Sequence, residues 1–189
     1  VDGNQVELAV NGGEQECITV SISSNVEVTN NEVSNDGAGT AGGEGIDVKD
    51  GSSNVLVRGN HVHHLDELGI YVDSWDSDTA DIVIEDNIVH HCNNHGIALA
   101  AERGGRLDRI TIRNNLTYAN ARMGITIGDW DAGWPHPMQD ILIVNNTSVG
   151  NGPDTTWGAG IAVLNGEAQG LVIRNNLVAD NVYAQILDE

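Results

Sequence analysis

Apolar and polar residues alternate along this chain in short runs, and the runs recur. In 110–118, I-T-I-R-N-N-L-T-Y, Ile110 and Ile112 face one way and Thr111 and Arg113 the other, which predicts a strand. Asn114 and Asn115 interrupt it, and a second alternating run follows. Taken alone this reads as a hairpin. The same word returns as V-E-V-T-N-N, V-L-V-R-G-N, I-V-I-E-D-N, I-L-I-V-N-N and L-V-I-R-N-N, ending at Asn31, Asn60, Asn87, Asn146 and Asn176. With Asn115 in its place, the successive gaps are 29, 27, 28, 31 and 30 residues. Self-similarity at that period predicts a solenoid.

A second word precedes each Asn turn: a small residue, then apolar, any, apolar. It begins at Cys17, Gly45, Gly69, Gly96, Gly124 and Gly160, with a weaker copy at Tyr183. Each unit is therefore a G-I-x-V strand, a loop, an I-x-I strand, the Asn turn and a third short strand. Equivalent strands of successive coils would pair in parallel about 4.8 Å apart. Their inward Ile and Val side chains would then stack on their own kind, because a lone coil cannot bury that face. Asn tolerates the left-handed backbone of a sharp bend, so the turn Asn is expected in that conformation. Stacked Asn side chains can also hydrogen-bond from coil to coil.

This three-strand coil resembles the right-handed parallel β-helix, in the superfamily of pectate lyases, polygalacturonases and related polysaccharide enzymes. The resemblance spans nearly the whole chain. It implies an all-β solenoid of about six coils, a single domain over 1–189, and a carbohydrate-active protein of the secreted or cell-surface compartment. The N-T-D, D-D and R-I-K words of polygalacturonases are absent, and His95-Gly96-Ile97 is similar only to part of their G-H-G. Both ends read as mid-coil, so the chain is expected to be an excerpt of a longer β-helix or to have its ends covered by flanking domains or a partner.

Composition narrows this further. Aromatic residues make up only 4% and Phe is absent, so Val, Ile, Leu and Ala must build the core. The net charge of −20 argues against nucleic acid, whose phosphates call for Lys and Arg, and against anionic membranes. It permits a neutral polysaccharide or oligosaccharide, or an anionic one with a bound cation. Cys17 and Cys92 form no C-x-x-C and lie coils apart, so no disulfide between them is expected.

Insertions in a solenoid collect on one face, often the binding face. Here the variable loops 74–81, 101–108 and 129–140 follow the G-I-x-V strands, while 36–44 and 151–159 precede them. That sheet is the expected floor of a groove. Its outward positions are Thr19, Asp47, Tyr71, Ala98, Thr126 and Ala162 in one ladder, and Ser21, Lys49, Asp73, Ala100, Gly128 and Leu164 in the other. A small floor at Ala98, Ala100 and Gly128, flanked by long loops, suits a flat polymer.

All four tryptophans, Trp75, Trp130, Trp134 and Trp157, lie in loops beside this sheet. Each can pack over its own loop; together they suggest stacking on sugar rings. With Tyr71, Lys49, Arg103 and His136 they are the candidate substrate-binding residues. Paired carboxylates suit glycoside hydrolysis, and the candidates are Asp73, Asp129, Glu102 and Asp50. Asp73 and Asp129 stand two coils apart, roughly 10 Å. Asp50 and Asp73 stand one coil apart, closer to the retaining spacing.

A competing chemistry is a uronate lyase or epimerase. It would draw its base from Lys49, Tyr71, Arg103 or His136 and hold Ca²⁺ on Asp76, Asp78 and Asp81. A third reading is a non-catalytic saccharide-binding or surface-structural β-helix. Hydrolysis is the first expectation and requires no cofactor. His63, His90 and Tyr118 recur at the third position after the turn Asn, where side-chain stacking explains them; a His63/His90 metal pair lacks an evident third ligand. Asn115 and Asn146 also sit in N-x-S/T sequons, but both are turn residues of the ladder.

Overall fold

The computed structural model describes residues 1–10, 15–35, 43–153 and 157–189. Its 20 strands form three sheets in which every paired strand is parallel, a solenoid of about six coils. The first sheet stacks Ile18–Ser21, Ile46–Lys49, Ile70–Ser74, Ile97–Ala101, Ile125–Gly128, Ala159–Val163 and Ala184–Asp188. These are the G-I-x-V words in order, including the weak seventh copy. The second sheet holds the I-x-I strands, from Ser24–Thr29 to Val172–Arg174. The third holds the strands after the turn, from Gln5–Glu7 to Leu177–Ala179.

Register follows the repeat. Ile46, Ile70, Ile97, Ile125 and Ile161 are successive Cα partners, and all are fully buried. One contiguous apolar cluster of such stacks runs along the axis. The small residue that opens each word has a steric cause. A Cβ on Gly69 would lie 2.5 Å from the carbonyl oxygen of Gly96 and 2.3 Å from Val89, so only glycine lets consecutive coils close at that corner.

The turn asparagines form a continuous ladder. The backbone N–H and the Nδ2 of Asn60 both donate to Oδ1 of Asn87, at 2.9 and 3.0 Å. The same double contact links Asn31 to Asn60, Asn87 to Asn115, Asn115 to Asn146 and Asn146 to Asn176. Each Nδ2 also reaches a carbonyl of the preceding strand word, as Asn87 does to Val57 at 3.0 Å. The left-handed conformation falls elsewhere than expected. It is taken by the residue before each rung, Asn30, Gly59, Asp86, Asn114, Asn145 and Asn175, with φ between 55° and 68°. The bend is made by that residue, which leaves the rung free to point inward.

A second ladder, unanticipated, runs through Asn120, Asn151 and Asn181, again by paired N–H and Nδ2 donations to the next Oδ1. Cys92 occupies the same stack and donates its N–H to Asn120 Oδ1 at 3.2 Å. Cys17 and Cys92 are both free thiols. The loop readings at 36–44 and 151–159 fall in part outside the described residues.

Asn87→Ala should strand the N–H of Asn60 and the carbonyl of Val57, at about 1–3 kcal/mol for each buried group left unpaired. Asn114→Gly, at an exposed residue with φ of 58°, should change stability by only a few tenths of a kcal/mol. Urea unfolding of the two variants against the parent measures the contrast. A thiol titration of the unfolded, unreduced chain should count both cysteines.

Candidate functional site

The outward face of the first sheet carries a cavity of about 940 Å³. Its floor is made by Asp47, Lys49, Tyr71 and Asp73, which the alternation of the strands Ile46–Lys49 and Ile70–Ser74 turns outward. Its walls come from the loops that follow these strands and the next two, through Asp50, Trp75, Glu102, Arg103, Trp130 and Asp131. A second hollow of about 330 Å³ shares Tyr71, Glu102 and Trp130 and extends to His95 and Arg122.

Trp130 decides where the cavity lies. It folds back over the floor onto Leu68, Tyr71, Ala98 and Ala100. A Cβ on Gly128 would meet its indole at 2.7 Å. The small floor residues expected to leave room for a polymer instead receive this ring, because a flat aromatic body covers more apolar surface there than water tolerates. The indole also stacks on His95, with centroids 5.7 Å apart and planes 8° apart. The open floor is therefore the polar part.

That floor is acidic, and its acids are buried. Asp47 is 1% exposed and Asp73 7%. Lys49 pairs with Asp47 at 2.9 Å and with Glu16. Oδ1 of both Asp47 and Asp73 is buried without a hydrogen-bond partner. Burial lifts the Asp47 carboxyl to about 7, against the pull of the Lys49 ammonium. Burial lifts Asp73 further, to about 9, and the charges of Asp47 and Glu102 add to it. Asp73 is thus a protonated acid at neutral pH. Burial and Glu102 raise the Tyr71 hydroxyl well above its ordinary value, and that hydroxyl donates to Glu102 Oε1. Asp50 Oδ1 accepts from the Trp75 N–H at 3.2 Å. The Arg103 guanidinium lies over the Trp75 ring at 4.0 Å and donates to Asp131 at 2.5 Å. His95, buried among apolar groups and near Arg122, is held down to about 3 and is neutral.

The sequence matches the family described as the right handed beta helix region over residues 2–136. The chain belongs to this family. No curated protein matches the β-helix. Among solved structures it is similar to the periplasmic alginate epimerase AlgG, with a TM-score of 0.58, 14% identity, and coverage of 88% of this chain and 41% of that chain. A point mutant of AlgG gives a TM-score of 0.56 at 16% identity, covering 84% of this chain and 43% of that one. The β-helix spans about two fifths of the length of those chains, and at such identity the likeness is one of fold.

Of the acids singled out in the sequence, Asp50, Asp73 and Glu102 line one cavity of the β-helix, and Asp129 is exposed outside its wall. Tyr71, Lys49, Trp75, Trp130 and Arg103 line it too. Trp134 is exposed and faces Arg103 at 5.9 Å. Trp157 is partly exposed and lies outside the cavity wall. His136 is buried in its own loop, with Nδ1 against the Ala101 carbonyl at 2.5 Å. Asp78 pairs with Arg106 at 3.3 Å, Asp81 forms a two-pronged pair with Arg109 at 2.7 and 2.8 Å, and Asp76 accepts from Ser77 at 3.1 Å. Sequence reasoning placed Asp47 on the outward floor beside Tyr71 but gave it no catalytic or binding role, and gave none to Glu16, Glu44, Glu67, Asp131 or His95. The three glutamates precede the repeat words and carry no signal of their own.

The lifted Asp73 has a consequence for stability. Its folded pKa, about 9, exceeds its ordinary 3.8, so its contribution is fully present below pH 3.8 and is lost as pH rises through 9. Thermal unfolding between pH 5 and 8 should show stability declining by on the order of 1 kcal/mol per pH unit from this group. Asp73→Asn should flatten that slope.

Proposed function

We propose that this β-helix binds a polysaccharide in the groove over the first sheet and hydrolyses its glycosidic bonds. The observation that carries the reading is Asp73: a buried, protonated carboxyl among ionisable neighbours, with an unpartnered oxygen. A carboxylic acid kept neutral at working pH is what a general acid requires. In this reading Asp73 gives its proton to the glycosidic oxygen as the bond to the anomeric carbon breaks. Asp50 or Glu102 is the partner carboxylate, acting on water or on the sugar itself. Trp75 and Trp130 offer ring surface for sugar faces. The eight carboxyl groups along the cavity, against Lys49 and Arg103, favour a neutral chain.

A second reading, C5 epimerisation or β-elimination on a polyuronate, is favoured by the likeness to an alginate epimerase. It has to overcome the same acidic lining, through Arg103, the neutral Asp73 or an added cation such as Ca²⁺. That neighbour is a periplasmic enzyme, which also supports an extracytoplasmic location for this protein.

A panel of neutral and uronate polysaccharides tests this, read for new reducing ends, for the ultraviolet absorbance of unsaturated uronides, and for solvent deuterium entering C5. Reducing ends alone are expected, from a neutral polymer. Asp73→Asn should lower the rate by about 10²–10⁴-fold. In the parent enzyme, kcat/KM should fall as pH rises past about 9, where Asp73 loses its proton. Deuterium incorporation without new reducing ends would replace this reading with the second. Full activity of Asp73→Asn would remove Asp73 from the chemistry.

A further inference from the structure

On a different face of the coil, the outer surface of the third sheet gathers imidazoles. Glu32 and His61 are register partners on adjacent strands, and so are His63 and His90. His61 and His63, two residues apart on one strand, share a face. Glu32, His61 and His63 each bring one ligand atom within 4.8 Å of the others. Glu32 Oε1 is 3.5 Å from His63 Nε2 and 4.0 Å from His61 Nδ1. Two donors held at about 2.1 Å from one ion stand no more than about 4.2 Å apart, so both separations fit a shared ion. The far nitrogen of His61, Nε2, lies 2.8 Å from Nε2 of His90.

Ring stacking accounts for part of this cluster. His63 lies flat on His90, 5.2 Å between centroids and 7° between planes, and His90 lies on Tyr118 at 4.6 Å. Stacking does not account for Glu32, nor for the contact of His61 with His90 through their ring nitrogens. Such an N···N contact uses one N–H donor and one lone-pair acceptor; with His61 Nε2 donating to His90, the bare nitrogen of His61 is Nδ1, the one on the Glu32 side.

We propose that Glu32, His61 and His63 bind one divalent transition-metal ion of the zinc class, with His90 at the edge of the site, and that the ion clamps two successive coils. Two imidazoles and one carboxylate suit zinc, copper or nickel; Ca²⁺, which takes oxygen ligands, is excluded by the donor set. The residues stand one and three places after the ladder asparagines Asn31 and Asn60, so the register that aligns the ladder also aligns the ligands. The site is independent of the groove and of any activity there.

The test is calorimetric titration of the metal-stripped chain with Zn²⁺ in excess Ca²⁺. One ion per chain is expected, with a rise in Tm that EDTA reverses. His61→Ala, His63→Ala and Glu32→Gln should each weaken binding by about tenfold or more, with unchanged circular dichroism; His61→Asn and His63→Gln replace the alanine variants if those do not fold. His64→Ala/His91→Ala, which removes only the partners of the far Nδ1 atoms of His63 and His90, should keep stoichiometric binding. The proposal is overturned if the parent takes up no stoichiometric Zn²⁺, if the folded His61 and His63 variants bind as tightly as the parent, or if only the His64/His91 variant loses the ion.

Discussion

Everything in this molecule depends on the spacing of one coil on the next. Parallel pairing sets it, and the asparagine ladder pins it at one corner by pairing buried amides with nothing left over. Along the ladder each Oδ1 accepts twice, and from Asn31 to Asn146 each Nδ2 donates twice, to the neighbouring amide and to a carbonyl of the preceding coil. Because a buried amide without partners is costly, a slip of one residue in any coil would break the ladder there. The apolar stacks tolerate more, since Ile, Val and Leu exchange freely along the axis. The glycine corners act in the same sense, by admitting the carbonyl of the next coil where a side chain would have to be.

That rigid spacing turns sequence neighbours one period apart into structural neighbours. It places Asp47 beside Tyr71, with Lys49 and Asp73 on the same floor, and it holds Glu32 beside His61 on another face. The electrostatics follow from density. Burial lifts both Asp47 and Asp73, and the charges of Asp47 and Glu102 raise Asp73 further, so the neutral acid becomes the stable form of Asp73. A single ammonium, Lys49, offsets part of this and lies at the Asp47 end. The groove is thereby graded, with an ion-paired end and a protonated end, and that gradation is the chemical content of the site.

Much of the fold was legible because its signal repeats. The words ending at Asn31, Asn60, Asn87, Asn115, Asn146 and Asn176 fix the register of strand after strand, and any weak copy is corrected by its neighbours. The second ladder was legible as well, since Asn120, Asn151 and Asn181 each stand five residues after a rung; only three coils carry it, and Cys92 masks its continuation. The site was legible in part. Asp73, Tyr71 and Lys49 lie on strands, where alternation states which way a side chain points. Trp130, Asp129 and His136 lie in one long loop, where no period applies. Of these, Trp130 turns inward to cover Ala98 and Ala100, His136 is buried under its loop, and Asp129 stays in solvent.

By itself, the sequence determined the solenoid, its period, its three strands per coil and the face on which the variable loops gather. All of these are local patterns multiplied by repetition, and repetition makes them robust. Only the tertiary structure decided which part of that face is open. A ring laid over small residues closes one stretch, and the depth of burial at Asp47 and Asp73 sets their protonation in the other. Both depend on how nonrepeating loops pack against a repeating floor, and a periodic sequence carries no information about the segments that depart from its period.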